Sequence, residues 1–163
     1  MDVYAKLHEL NLTLPPAPKR SGIYKPVRRQ GNLLYVSGQG PTWEGVARYT
    51  GKVGSERTLE EGREAARLCV LNALAALQEY LGDLNRLSGV VKILGLVQSA
   101  DGFFSQPKVI DAASQLLLDV LGEDGVGARS AIGVSALPNN ISVEIEFIFE
   151  LSERGADRGH QAL

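Results

Sequence analysis

The 163-residue chain holds one cysteine (Cys69), one methionine, one tryptophan and two histidines, His8 and His160. A single cysteine excludes an internal disulfide framework and any cysteine-rich metal site. Two histidines, each near a terminus, leave little for a zinc site or an imidazole base. Charge of one sign is lacking too. Lys+Arg number 17 and Asp+Glu 19, for a net charge of -2, whereas dedicated nucleic-acid binders are basic. No apolar run approaches the ~18 residues of a membrane span. The N-terminal stretch is interrupted by Asp2, Lys6 and Glu9, so it does not read as a signal peptide. The default expectation is a reduced, soluble, cytoplasmic protein. What remains is ordinary globular composition, 44% hydrophobic and 22% charged, enough for one domain with its own core.

Residues 2–10 read as a short helix with Val3, Leu7 and Leu10 on one stripe, ended by the prolines at 15, 16 and 18. Residues 1–20 are therefore read as an arm packed on a domain spanning 21–151. Residues 152–163 are polar and aperiodic, a tail. Residues 32–38 read as a strand, with 24–30 as its hairpin partner across Gly31, and a further short strand near 46–50. Thr58 and Glu61 have capping-box spacing and open a helix that stops at Gly82. The apolar run 89–97 suits a strand buried on both faces. Ser105 and Pro107 open a second helix that ends at Gly122. Residues 128–136 and 141–151 read as two strands joined across Leu137-Pro138-Asn139-Asn140. The order β-β-(β)-α-β-α-β-β predicts an α+β fold, a sheet with two helices packed on one face.

Alternation along the last two strands sorts their residues. If they pair about Pro138-Asn139, Gly133 lies opposite Glu144. One face is then all aliphatic and the other gathers Arg129, Ala131, Gly133 and Glu144. Ala131 and Gly133 would leave a hollow floor, with Arg129 and Glu144 roughly 13 Å apart at about 3.3 Å per residue. Arginine binds carboxylates through a bidentate fork, and glutamate can position or deprotonate water. The chemistry suggested is addition of water to a small carboxylic acid. Taken alone, these residues are accounted for more readily by an ion pair for Arg129 and a solvated face for Glu144 and Glu146.

Four segments resemble the RidA/YjgF/UK114 family, once labelled L-PSP endoribonuclease. They are Ser21-Gly22-Ile23-Tyr24, then Leu34-Tyr35-Val36-Ser37-Gly38-Gln39, then the strand 87–96, and last Ala128-Arg129-Ser130 through Leu137-Pro138 to Val143-Glu144-Ile145-Glu146. The likeness spans roughly residues 20–151. It implies a chorismate-mutase-like fold of the bacillar type, with a mixed sheet, and a homotrimer with ligand pockets between subunits. It also implies hydrolysis of reactive 2-imino or enamine acids to 2-oxo acids and ammonia, without metal or organic cofactor. By the same resemblance Arg129 holds the substrate carboxylate, Glu144 positions the water, the Ala131 backbone meets the imine nitrogen, and Tyr24 and Ser37 line the pocket. The chain departs from many members at Ala131, where they have cysteine, and at Asp111, where they have asparagine. Asp111 would either repel an anionic substrate or form a structural pair. That substitution favours the alternative of a non-catalytic, small-carboxylate binding or sensing trimer.

Other residues carry weaker signals. Cys69 sits in the stripe of an alanine-rich helix and reads as a small core residue. Trp43 lies in a glycine-rich loop and reads as a pocket cap, a subunit contact or local packing. Lys19, Arg20, Lys25, Arg28 and Arg29 form a basic cluster. It reads as a solvated face, or as a patch that attracts RNA or guides anions toward a cleft, and an RNA-acting protein is a third, less favoured functional reading. Without interleaved aromatics it does not suit single-stranded nucleic acid.

Overall fold

A computed structural model describes residues 2–152. Helix α1 (Val3–Glu9) is capped by the Asp2 carboxylate, which accepts from the amides of Tyr4 and Ala5, and sinks Val3 and Leu7 into the main core. Strand β1 (Val27–Gln30) pairs antiparallel with β2 (Leu33–Gln39) across Gly31, whose φ of 62° is left-handed. The expected hairpin is present, but its first strand begins at Val27. Two short strands, β3 (Thr42–Trp43) and β4 (Val46–Ala47), form a separate ribbon.

Helix α2 (Leu59–Leu81) starts where the capping box placed it. The Thr58 hydroxyl accepts from the Glu61 amide, and the Glu61 carboxylate accepts from the Thr58 amide at 2.8 Å. That backbone hydrogen bond, with Arg57 second, holds the Glu61 carboxyl below its ordinary range. Gly82, in the left-handed region, ends the helix. Strand β5 (Leu87–Gln98) leads to helix α3 (Gln106–Leu121) and back to β6 (Ala128–Val134). Ser105 precedes α3 but makes no side-chain cap, contrary to expectation; its carbonyl accepts from Lys108 and Val109 instead. Strand β7 (Val143–Leu151) closes the described chain. The expected tail beyond residue 152, with His160, lies outside the described residues.

The main sheet has five strands in the order β1-β2-β7-β5-β6. All neighbours are antiparallel except β5 and β6, which run parallel because α3 carries the chain back between them. Strand β7 is therefore separated from β6 by β5, and the expected β6–β7 hairpin does not form. The link between them is an arch. Asn139 and Asn140 both take left-handed φ, and buried Gln98 holds the arch by donating to Asn140 Oδ1 and accepting from the Leu137 amide. Helix α2 covers β7 and β2, and α3 covers β5 and β6. Gly95 lets α3 sit close, since a β-carbon there would stand 2.5 Å from Ile110 Cδ1.

Burial follows the layers. Ile93 and Val97 of β5 and the odd-numbered residues of β7 lie under the helices. Lys92, Leu94 and Leu96 face the other way and are only partly covered, and Val91 is exposed. Strand β5 is thus buried on one face, not two. Among the described residues, no helix is long and apolar enough to cross a membrane.

Candidate functional site

Pairing partners across a sheet share a face, so the register places every site residue. Arg129 pairs with Ile93, Ala131 with Gly95 and Gly133 with Val97. All three therefore lie on the helix-covered side of β6. Glu144 pairs with Leu96, out of step with them, and lies on the open side. The predicted shared face is overturned: β5 stands between the two strands and shifts the phase. Spacings of about 3.3 Å per residue and 4.8 Å per strand put the Arg129 and Glu144 backbones about 14 Å apart, with side chains on opposite faces. The chain thus carries two separate groups.

The first group lies at the edge of the sheet. Arg129 Nη1 donates to Asp111 Oδ1 at 2.7 Å and to Ser114 Oγ at 3.1 Å, both on α3. Asp111 therefore forms a pair with Arg129. Both contacts use Nη1, and the Nε–Nη2 edge has no partner among the described residues. That edge remains a fork for a carboxylate. Ala131 packs against the core, leaving only its backbone for a ligand. As β6 is an edge strand, one side of its backbone is unpaired in the described chain.

The second group lies on the open face. Between Val36 and Gln39 the β2 register slips by a bulge against β7. At that bulge the Glu144 side chain lies across Gly38: a β-carbon there would overlap Glu144 Oε1 and stand 2.9 Å from its Cδ. Glu144 has no hydrogen bond or ion pair among the described residues. Burial, with the Glu146 charge second, pushes its carboxyl above the ordinary range. A raised, unpaired carboxylate is suited to proton transfer rather than to holding the fold. On the same face opens a cavity of about 710 Å³, lined by Lys25, Arg28, Lys92 and Glu146, with Tyr24 and Ser37 on its wall. The Ser37 hydroxyl donates to the Lys25 carbonyl at 2.7 Å, and Tyr24 Oη accepts from the Ser21 amide at 3.3 Å. Tyr24 and Ser37 thus line the cavity with Glu146, Glu144 lies on the same face at the Gly38 bulge, and Arg129, Asp111 and Ala131 stand apart on the helix side. Sequence reasoning missed Lys92. Its signal was a lone cation inside the apolar run 89–97, and its Nζ now donates to Ser130 Oγ on the open face.

Cys69 is fully buried on α2, and its thiol reaches the Val143 carbonyl at 3.7 Å. Desolvation, then the Glu144 charge, pushes that thiol well up, so it is not a nucleophile at rest. Trp43 lies in the β3–β4 ribbon, which α2 holds through Asn72, donating to the carbonyls of Gly40 and Thr42. Among the described residues no cluster of three or more His, Cys, Asp or Glu is arranged to hold a metal ion.

The layering and strand order define a chorismate-mutase-like domain. Residues 5–151 match the family described as "YjgF/chorismate mutase-like, putative endoribonuclease", and the chain belongs to that RidA/YjgF family. The match takes in most of the N-terminal arm, which the four sequence segments had left out. The chain is 39% identical over 151 residues to "Protein TCP17" of Trypanosoma cruzi, covering 92% of this chain and 94% of that one. The crystal structure of Atu1372 from Agrobacterium tumefaciens superposes with a TM-score of 0.86 at 43% identity, over 92% of each chain. That of RidA from an Antarctic Psychrobacter gives 0.59 at 27% identity, over 83% of this chain and 94% of that one.

Proposed function

We propose that the protein hydrolyses reactive 2-imino or enamine acids to 2-oxo acids and ammonia, in clefts between the subunits of a homotrimer. One observation carries this reading: each residue group is incomplete alone, and the two point away from each other. Arg129 keeps a free carboxylate fork on an edge strand. Glu144 keeps an unpaired, partly sunken carboxylate on an uncovered face. A second copy that brings its open face against the β6 edge would join the two.

In such a cleft the Nε–Nη2 edge of Arg129 binds the substrate carboxylate, and the Ala131 backbone meets the imine nitrogen. Glu144 of the adjoining copy takes a proton from water as the oxygen bonds to C2 of the protonated imine. Glu144 then returns that proton to the carbinolamine nitrogen, the C2–N bond breaks as the hydroxyl oxygen forms the C2 carbonyl, and the departing ammonia carries off the hydroxyl proton as ammonium, leaving the 2-oxo acid and a regenerated carboxylate. The substrate's own iminium supplies the electrophile, so proximity and one base suffice. Tyr24 and Ser37 line the cavity on the face that carries Glu144.

The test is release of 2-oxo acid from freshly generated 2-iminopropionate and 2-iminobutyrate, with semicarbazide as competing trap. Enzyme-dependent loss of the semicarbazone, abolished by Arg129→Ala, is the expected result. If the intact assembly behaves as buffer does, the reading falls. A non-catalytic carboxylate-binding trimer then takes its place, with the Asp111–Arg129 pair as its supporting observation.

A further inference from the structure

The Glu144 carboxylate occupies space that any side chain at position 38 would need. All three of the nearest atoms to a β-carbon on Gly38 belong to Glu144: Oε1, which it would overlap, Cδ at 2.9 Å and Cγ at 3.1 Å. Gly38 is not among the glycines with positive φ, so its backbone conformation is open to other residues. What excludes them is this one flexible side chain. The bulge between Val36 and Gln39 is what brings the Gly38 backbone against Glu144, because it interrupts the regular β2–β7 ladder there. No hydrogen bond or ion pair among the described residues otherwise fixes the carboxylate.

We propose that Gly38 is a positioning residue: the missing side chain at the β2 bulge forms a slot that holds the Glu144 carboxylate sunk in the open face at the height from which it meets water. This rests on the deaminase reading for its chemistry, but not for its geometry. Alanine fits the backbone, so it must lift Glu144 out of the slot rather than unfold the strand. The charged and titratable groups that share the open face are Glu146 and Glu150 on β7, Lys92 on β5, Tyr35 on β2, Arg28 on β1, and Tyr24 and Lys25 just before β1; Cys69 lies beneath on α2. None of these changes in Gly38→Ala, so a change in Glu144 titration reports its height alone.

Four readouts test the slot. In Gly38→Ala the kcat for 2-iminobutyrate should fall about tenfold or more, the scale of a misplaced general base, with KM within about twofold because Arg129 still binds the substrate. The acid limb of the kcat profile, above the ordinary glutamate range in the wild type, should move down towards that range as the carboxylate enters water. In a Glu144→Ala background, Gly38→Ala should cost nothing further, whereas damage to the bulge itself would add. Carboxyl 13C NMR, with the Glu144 resonance assigned by Glu144→Gln, follows the same downward shift without any substrate. If the wild type hydrolyses no imine, the function fails and the NMR titration still decides the slot. An unchanged Glu144 titration, or an equal loss in the Glu144→Ala background, overturns it. If Gly38→Ala does not fold, folding of Gly38→Ala/Glu144→Ala supports the slot, and its failure to fold overturns it.

Discussion

On β7, Val143, Ile145, Phe147 and Phe149 point under the helices and are at most 1% exposed, while Glu144, Glu146, Ile148 and Glu150, one step out of phase, face away and are partly covered or exposed. The helix side is filled by aliphatic side chains and the paired rings of Phe147 and Phe149, whose centroids lie 5.7 Å apart. The open side mixes Leu94, Leu96 and Ile148 with Lys92, Glu144 and Glu146. The first face is complete within one chain, and its energy is that of close packing. The second carries charge, a glycine slot and a cavity, features that a finished interior would not retain. On β7, close packing and unpaired charge fall on opposite sides of one strand, while Arg129 of β6 sits on the helix side.

Subunit mixing breaks this division most sharply. Arg129→Ala and Glu144→Ala proteins should each fall below about 1% of wild-type turnover. After joint unfolding and reassembly, about a quarter of the clefts regain both native residues if the two come from different subunits of a cyclic oligomer. Recovery to that level supports the shared cleft; no recovery, with mixed trimers demonstrated, removes it. Truncation compares the faces directly. Phe149→Ala should cost about 3–5 kcal/mol by denaturant unfolding, while Ile148→Ala should cost about 1 kcal/mol and show its main effect as weaker assembly at low protein concentration. Equal costs would contradict the contrast. Asp111→Asn keeps a hydrogen-bonding oxygen for Arg129 but removes a negative charge beside the fork. KM for a 2-imino acid should fall about two- to fivefold with kcat held, and a rise in KM would assign Asp111 to orienting Arg129.

The smallest effect is on stability against pH. The Glu144 carboxyl is raised in the folded chain, so its contribution is fully present below the unfolded value and is lost as pH rises through the folded one. Glu144→Gln should therefore gain on the wild type between acid and neutral pH, with the difference vanishing at low pH. Paired thermal melts across that range read it, and a gain that grows on acidification would reverse the assignment.

Much of the layer structure was legible in the sequence. The Thr58–Glu61 box marked the start of α2, and the period of 109, 110, 113, 116, 117 and 120 marked α3, because these signals are local. Neighbour choice was not. Alternation tells which residues share a side of one strand and says nothing of which strand lies beside it. The β5–α3–β6 order did hold the answer, since a helix between two strands favours parallel pairing and takes β6 away from β7. The resemblance named the candidate residues. Their division between two faces was not legible, because it depends on the phase that β5 imposes. The Asp111 pair, in turn, depends on α3 lying over the β6 edge.

The lone thiol beneath Glu144 gives the molecule a clock of its own. Cys69 is sealed between α2 and β7, so an alkylating reagent reaches it only when that seam parts. Labelling by a fast reagent therefore counts openings of the α2–sheet layer, and by a slow one weighs the open fraction. No probe has to be installed to time how often the interior is breached.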